Sequence, residues 1–205
     1  MTLSFLNPAN VSQNETAQRL KGVRILLDPG HGTPDDKPWE APFNLAYANV
    51  LREKLEALGA TVDMTRTAPL TSDLSLQSRV QISQRTDYHM VISVHMNGYN
   101  GSATGATVHY YTEQSYTPSA IIYKKMHEVE VTRGVGTTAN GRPRSSGTVW
   151  GTLYMTRSIF HCQSVLLESA FLDNTKDKEA LVDPVYRDKL MQSVTDGVVE
   201  YFNDM

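Results

Sequence analysis

The stretch VRILLDPGHG, Val23 to Gly32, decides the fold. Val23 to Asp28 is a short, nearly continuous apolar run halted by Pro29-Gly30, which is how a strand covered on both faces reads. Such strands belong to parallel sheets, whose crossover helices lie on the two faces. Moving outward, Phe43 to Leu58 places Leu45, Ala48, Leu51, Leu55 and Leu58 at helical spacing, with Gly59 as a C-terminal stop. ATVDMTR (Ala60 to Arg66) is a β-branched strand candidate. A second helix is expected from Ser75 to Thr86, with Leu76, Val80 and Ile82 on one side.

MVISV (Met90 to Val94) reads as another buried strand, ending at His95, and ATVHYY (Ala106 to Tyr111) as a further one bounded by glycines. A helix from Pro118 to Glu130 leads into RGVGTTANGRPRSSG (Arg133 to Gly147), expected to be a mobile loop. CQSVLLE (Cys162 to Glu168) is the last central strand, and Val185 to Phe202 supplies a closing helix. Alternating strands and helices predict an α/β fold: a single domain with a mostly parallel twisted sheet and helices on both faces. Residues 1–21 are polar, interrupted by Asn7-Pro8, and read as a linker or loosely attached segment. The folded domain is expected over residues 22–205.

With 205 residues, 40% hydrophobic and 20% charged, the chain fits one domain able to bury roughly 70% of its unfolded surface. A formal charge of -3 with 19 basic residues offers no excess of cations for a phosphate backbone, so nucleic acid is excluded as an expected partner. The single cysteine, Cys162, rules out an internal disulfide framework. The opening stretch has no basic region followed by an apolar run, so neither a secretory signal nor membrane insertion is expected from it. The glycines at Gly134 and Gly136 lack the Lys-Ser/Thr ending of a phosphate-binding loop.

In open α/β sheets, ligands gather outside the carboxyl ends of the strands. His31 follows the first strand between two glycines, His95 follows the run Met90 to Val94, and the last strand ends in Glu168. Glu40 precedes the first long helix, where the chain enters from that same side. Two histidines plus one carboxylate form a ligand set for a single catalytic zinc ion, leaving a fourth position for water. Their long separations in sequence suit a site open to substrate rather than a structural zinc finger.

Four segments carry a resemblance. ILLDPGHG, EAPFN with the following LAYANVLREKLEALGATVDMTR, LQSRVQISQRTDYHMVISVHMN, and LLESAFLDN stand in the order of the zinc-dependent N-acetylmuramoyl-L-alanine amidases of the type 3 amidase family, and the chain resembles them from Val23 to Tyr201. The resemblance implies that His31, Glu40 and His95 ligate one zinc ion and that Glu168 is the catalytic carboxylate. It also implies a sheet of about six strands, a peptidoglycan substrate, action at the cell wall, and hydrolysis of the bond between N-acetylmuramic acid and L-alanine. A monomer is expected. The loop between the first two ligands reads GTPDDKPW, shorter than the glycine-rich insertion of many relatives.

Other readings compete at several positions. Glu40 would serve equally to favour a helix N-terminus, and Glu168 to pair with an arginine. Arg79 and Arg133 are candidates for binding stem-peptide carboxylates or for ordinary salt bridges. Asn97 either donates to substrate or shapes a turn. His89 lies at the opposite end of its strand, and His109 and His127 read as structural. His161 beside Cys162 suggests a thiol protease, but neighbouring strand residues point to opposite faces. Three functional alternatives remain open here: a zinc peptidase or carboxypeptidase acting on wall peptides, a wall-binding module without catalysis, and a glycosidase using Asp28 and Glu40. The glycosidase leaves both histidines without a role.

Overall fold

A computed structural model describes residues 18–33, 37, 39–72, 74–129 and 153–204. The apolar run forms β1 (Arg24–Pro29), with five of its six residues buried. It pairs in parallel with β2 (Thr61–Met64) on one side and β3 (Met90–Asn97) on the other. The short β4 (Thr107–His109) forms the far edge, antiparallel to β5 (Gln163–Phe171), which itself lies parallel to β3. The spatial order is β2-β1-β3-β5-β4. Each strand segment read from the sequence is present, and among the described residues the sheet has five strands where about six were expected.

Six helices complete the described fold: α1 (Ala41–Ala57), α2 (Leu76–Ser83), α3 (Tyr116–Glu128), α4 (Tyr154–Ser158), α5 (Thr175–Val182) and α6 (Pro184–Asn203). Side-chain alternation divides them between two layers. Ile25, Leu27, Ile92, Val94, Val165 and Leu167 point to the face where α1, α3 and α6 supply Tyr47, Leu51, Ile122, Met126, Leu190 and Val194. Leu26 and Val91 point the other way, onto a smaller cluster with Val80, Met155, Ile159 and Cys162. Both faces are covered, as a near-continuous apolar strand requires.

α1 positions the site. Proline in its first turn suits a helix start, where the missing N–H has no partner to lose. The helix ends where Gly59, at φ 90°, lets its N–H reach Glu56 O and that of Ala60 reach Leu55 O.

Three details differ from the sequence reading. Leu20 is fully buried and donates its N–H to Leu58 O, so the packed body begins before residue 22. Residues 1–17 and the stretch Arg133 to Gly147 lie outside the described residues. β3 and β5 run on through His95 and Glu168, because ladder hydrogen bonds do not depend on side-chain polarity. Finally, α4 and α5 are additional. α5 is started by Asn174, whose Oδ1 accepts from the N–H groups of Lys176 and Asp177.

Candidate metal centre

The centre is assembled at the carboxyl edge of β1, β3 and β5. His31 lies two residues beyond β1 with φ 56°, a left-handed backbone. His95 sits within β3, and its ring occupies the space over Gly30. A Cβ at Gly30 would overlap that imidazole, so glycine is required there. Glu40 is the residue before α1, is 3% exposed, and makes no capping bond to its own helix. Its carboxylate turns instead to the two imidazoles. Oε2 lies 3.3 Å from His31 Nε2 and Oε1 lies 3.1 Å from His95 Nδ1.

The two imidazole rings stand nearly perpendicular, 5.1 Å between centroids. Ligand atoms of His31, Glu40 and His95 all lie within 4.8 Å of one another. Among the described residues this is the one group of three or more His, Cys, Asp or Glu side chains able to share an ion. Donors about 2.0–2.1 Å from a tetrahedral zinc stand roughly 3.3 Å apart, close to each nitrogen-to-carboxylate distance here, so the donor set suits that ion. Further bonds orient Glu40, since Oε1 accepts from Asn44 Nδ2 at 3.1 Å and from the Met96 N–H at 3.2 Å. Burial pushes the Glu40 carboxyl up, but its hydrogen bonds to His31 and His95 and their charges outweigh that and hold it far below the usual carboxylate range.

Glu168 is the cross-strand neighbour of His95 in the β3–β5 register. Neighbouring strand partners direct their side chains to one face, so strand pairing brings the second carboxylate alongside the cluster. Its Oε2 is buried with no hydrogen-bond partner among the described residues. Burial pushes its pKa well up, and the negative Glu40 nearby adds to the shift, against a smaller opposing pull from Lys37. Two carboxylates at one site are thus shifted in opposite directions, the pattern that separates a ligand from a proton carrier.

Arg79 corrects an expectation. It is 2% exposed, and its guanidinium pairs with Asp28 Oδ1 at 2.7 Å and donates to Leu74 O, Pro29 O and His31 O. Each of its nitrogens is engaged, and the buried guanidinium is withdrawn from the surface where a peptide carboxylate would arrive. Asn97 ends β3, and its Oδ1 accepts from the Gly98 N–H. Arg133 lies outside the described residues.

The remaining histidines and the cysteine are engaged in other contacts. His89 Nδ1 accepts from the Arg24 N–H at the other end of the sheet. His109 is buried against Thr107, His127 stacks on Tyr123, and His161 bonds to Ser83 O. Cys162 is a core residue whose thiol burial pushes up to about 11, the reverse of an activated nucleophile. Asn44 was not foreseen as a site residue. Its place one helical turn after Glu40 was the available signal.

The chain is similar to proteins named as amidases. The chain is 27% identical over 194 residues to the N-acetylmuramoyl-L-alanine amidase LytC of Bacillus subtilis, covering 92% of this chain but 37% of that protein. It is 28% identical to the germination-specific N-acetylmuramoyl-L-alanine amidase of the same organism, over 98% of this chain and 91% of that one. Among solved structures, the CwlD amidase from Clostridioides difficile in complex with the GerS lipoprotein superposes with a TM-score of 0.74 at 25% identity, covering 90% of this chain and all of that one. The profile of the N-acetylmuramoyl-L-alanine amidase family matches residues 25–200, nearly the whole described domain, and the chain belongs to that family.

Proposed function

We propose that the chain hydrolyses the amide between the lactyl carboxyl of N-acetylmuramic acid and L-alanine in peptidoglycan, acting at the cell wall with one zinc ion held by His31, Glu40 and His95. One observation carries this reading: two imidazoles and a carboxylate converge within 4.8 Å, and an unpartnered buried carboxyl oxygen stands on the adjoining strand. Zinc dependence is general in the family. Among the described residues no helix is long and apolar enough to cross a membrane.

Zinc bound there would polarise the scissile carbonyl and make water nucleophilic near neutral pH. The protein supplies the rest. Glu168, ionised, takes the proton of the attacking water on its carboxylate and then delivers it to the departing alanine nitrogen. Glu40 is held deprotonated and fixed in orientation by Asn44 and the Met96 N–H. Asn97, at the rim two residues past His95, is proposed to donate to substrate from the end of β3.

Mass spectrometry of fragments released from purified sacculi tests the reading. Intact stem peptides with a new N-terminal alanine are expected, abolished by a chelator and restored by zinc. Glu168→Gln should retain zinc and lose about 10² to 10⁴ in turnover. Cleavage within the stem peptide would assign a peptidase instead, and chelator-insensitive release would remove the metal from the mechanism.

A further inference from the structure

Three consecutive carbonyls leave the end of β1 and turn inward, where they receive five side-chain hydrogen bonds. Pro29 O accepts from Arg66 Nε at 2.9 Å and from Arg79 Nη1 at 3.0 Å. Gly30 O accepts from Arg66 Nη2 at 2.9 Å and from Asn44 Nδ2 at 3.1 Å. His31 O accepts from Arg79 Nη2 at 2.7 Å. Carbonyls past the end of a strand have lost ladder partners and must be satisfied if buried. Here the partners are two guanidinium forks and the Asn44 amide rather than peptide N–H groups.

The arrangement is costly, which points to a purpose. Arg66 and Arg79 are 5% and 2% exposed and lie beside each other. Asp28 pairs with Arg79 and also accepts from Thr65 Oγ1 and Ser93 Oγ. Among the described residues Arg66 has no carboxylate at ion-pair distance, and its nitrogens go to the carbonyls of Pro29, Gly30, Ala41 and Ala68. Burial and the adjacent Arg79 charge bring Arg66 down to about 10, so it is still cationic at neutral pH. A buried charge of this kind persists only where its hydrogen bonds are complete.

What the forks hold is the backbone on both sides of the ligand pair. Arg66 bridges Gly30 O, just before His31, and Ala41 O, just after Glu40. Asn44 bridges Gly30 O and the Glu40 carboxylate itself. Arg79 holds the carbonyl of His31, a non-glycine residue in the left-handed region, which surrounding structure must enforce. We infer that Arg66 and Arg79 are positioning residues of the metal centre: a two-arginine clamp that locks His31 in its turn and sets its spacing from Glu40. The inference rests on the proposed ligation of zinc by His31, Glu40 and His95.

Arg66→Lys and Arg79→Lys test it in the full chain. Lysine keeps the charge but presents a point ammonium that cannot span the acceptors a planar fork spans. Zinc affinity is measured by competition with a chelating dye, and folding of the zinc-free protein by circular dichroism and melting. Each lysine variant is expected to stay folded and bind zinc about 10- to 100-fold more weakly. Val80→Ala is the control: it removes core volume from the same layer without touching a ligand, and should lower the melting temperature while leaving zinc affinity unchanged. Folded lysine variants with wild-type zinc affinity overturn the clamp. So does a loss of affinity that Val80→Ala reproduces at an equal loss of melting temperature. Should the lysine variants fail to fold, Arg66→Gln, which leaves no unpaired buried charge and can still donate to one carbonyl, decides: zinc binding weakened at least about tenfold supports the clamp, and unchanged binding overturns it. A wild-type chain that binds no zinc instead removes the ligand reading on which the clamp depends.

Discussion

Glu40 touches both imidazoles and Glu168 is the cross-strand neighbour of His95, yet the surroundings drive these two glutamates in opposite directions. Glu40 gains hydrogen bonds and opposite charge, while Glu168 gains burial and a like-charged neighbour. The raised Glu168 carboxyl has a thermodynamic consequence. Between its unfolded value of about 4.3 and its higher folded value, the native zinc-free protein binds more protons than the unfolded chain, so this group's contribution to stability falls as pH rises. In chelator, the stability difference between Glu168→Gln and wild type should therefore move in the variant's favour as pH increases from about 4, by at most about 1.4 kcal/mol per pH unit. Denaturant titrations across pH measure it, and a pH-independent difference would show that Glu168 is unperturbed. His31, His95 and Glu168 were legible because each follows or ends an apolar strand. Glu40 was not legible in that way: by position alone it is an ordinary helix-start carboxylate, and its role came from resemblance to a family. Arg79 stayed open between substrate binding and a salt bridge because an arginine on a short helix gives no local sign of the aspartate 51 residues away with which it pairs.

Among the elements, α3 and α6 pack closely, and Gly197 makes that approach feasible. A Cβ on Gly197 would stand 2.8 Å from Ile122 Cα, and backbone cannot yield as a flexible side chain can. Gly197→Ala offers about 0.8–1.0 kcal/mol of helix propensity but imposes overpacking of about 1–3 kcal/mol. A net loss of stability by urea denaturation is expected, and a stabilised variant would mean that the two helices do not approach so closely. The long elements could be read from pattern: the period of α1, the apolar runs of β1 and β3, and the closing helix. α4 and α5 could not: α4 has 5 residues, and in α5 the apolar Ala180, Leu181 and Val182 run together without a helical period.

The whole molecule is a sheet that carries its chemistry on one edge, so metal binding and folding are linked. A ligand that binds only the native state stabilises it by mass action, about 2.7 kcal/mol at a free concentration of 100 Kd. For a domain of this size that corresponds to a rise in Tm of roughly 5 to 10 °C in zinc over chelator. Identical melting curves in both would exclude a native zinc site. From the sequence by itself follow the α/β class, the strand segments and longer helices, and three of the four residues that meet at the centre, because apolar periodicity and chain punctuation are short-range properties. Only the tertiary structure decided the opposite directions in which the two glutamates are shifted, the register that sets Glu168 beside His95, and the engagement of Arg66 and Arg79 with the turn around His31. Those outcomes depend on strand pairing and burial between residues far apart in the chain, and local sequence carries no record of either.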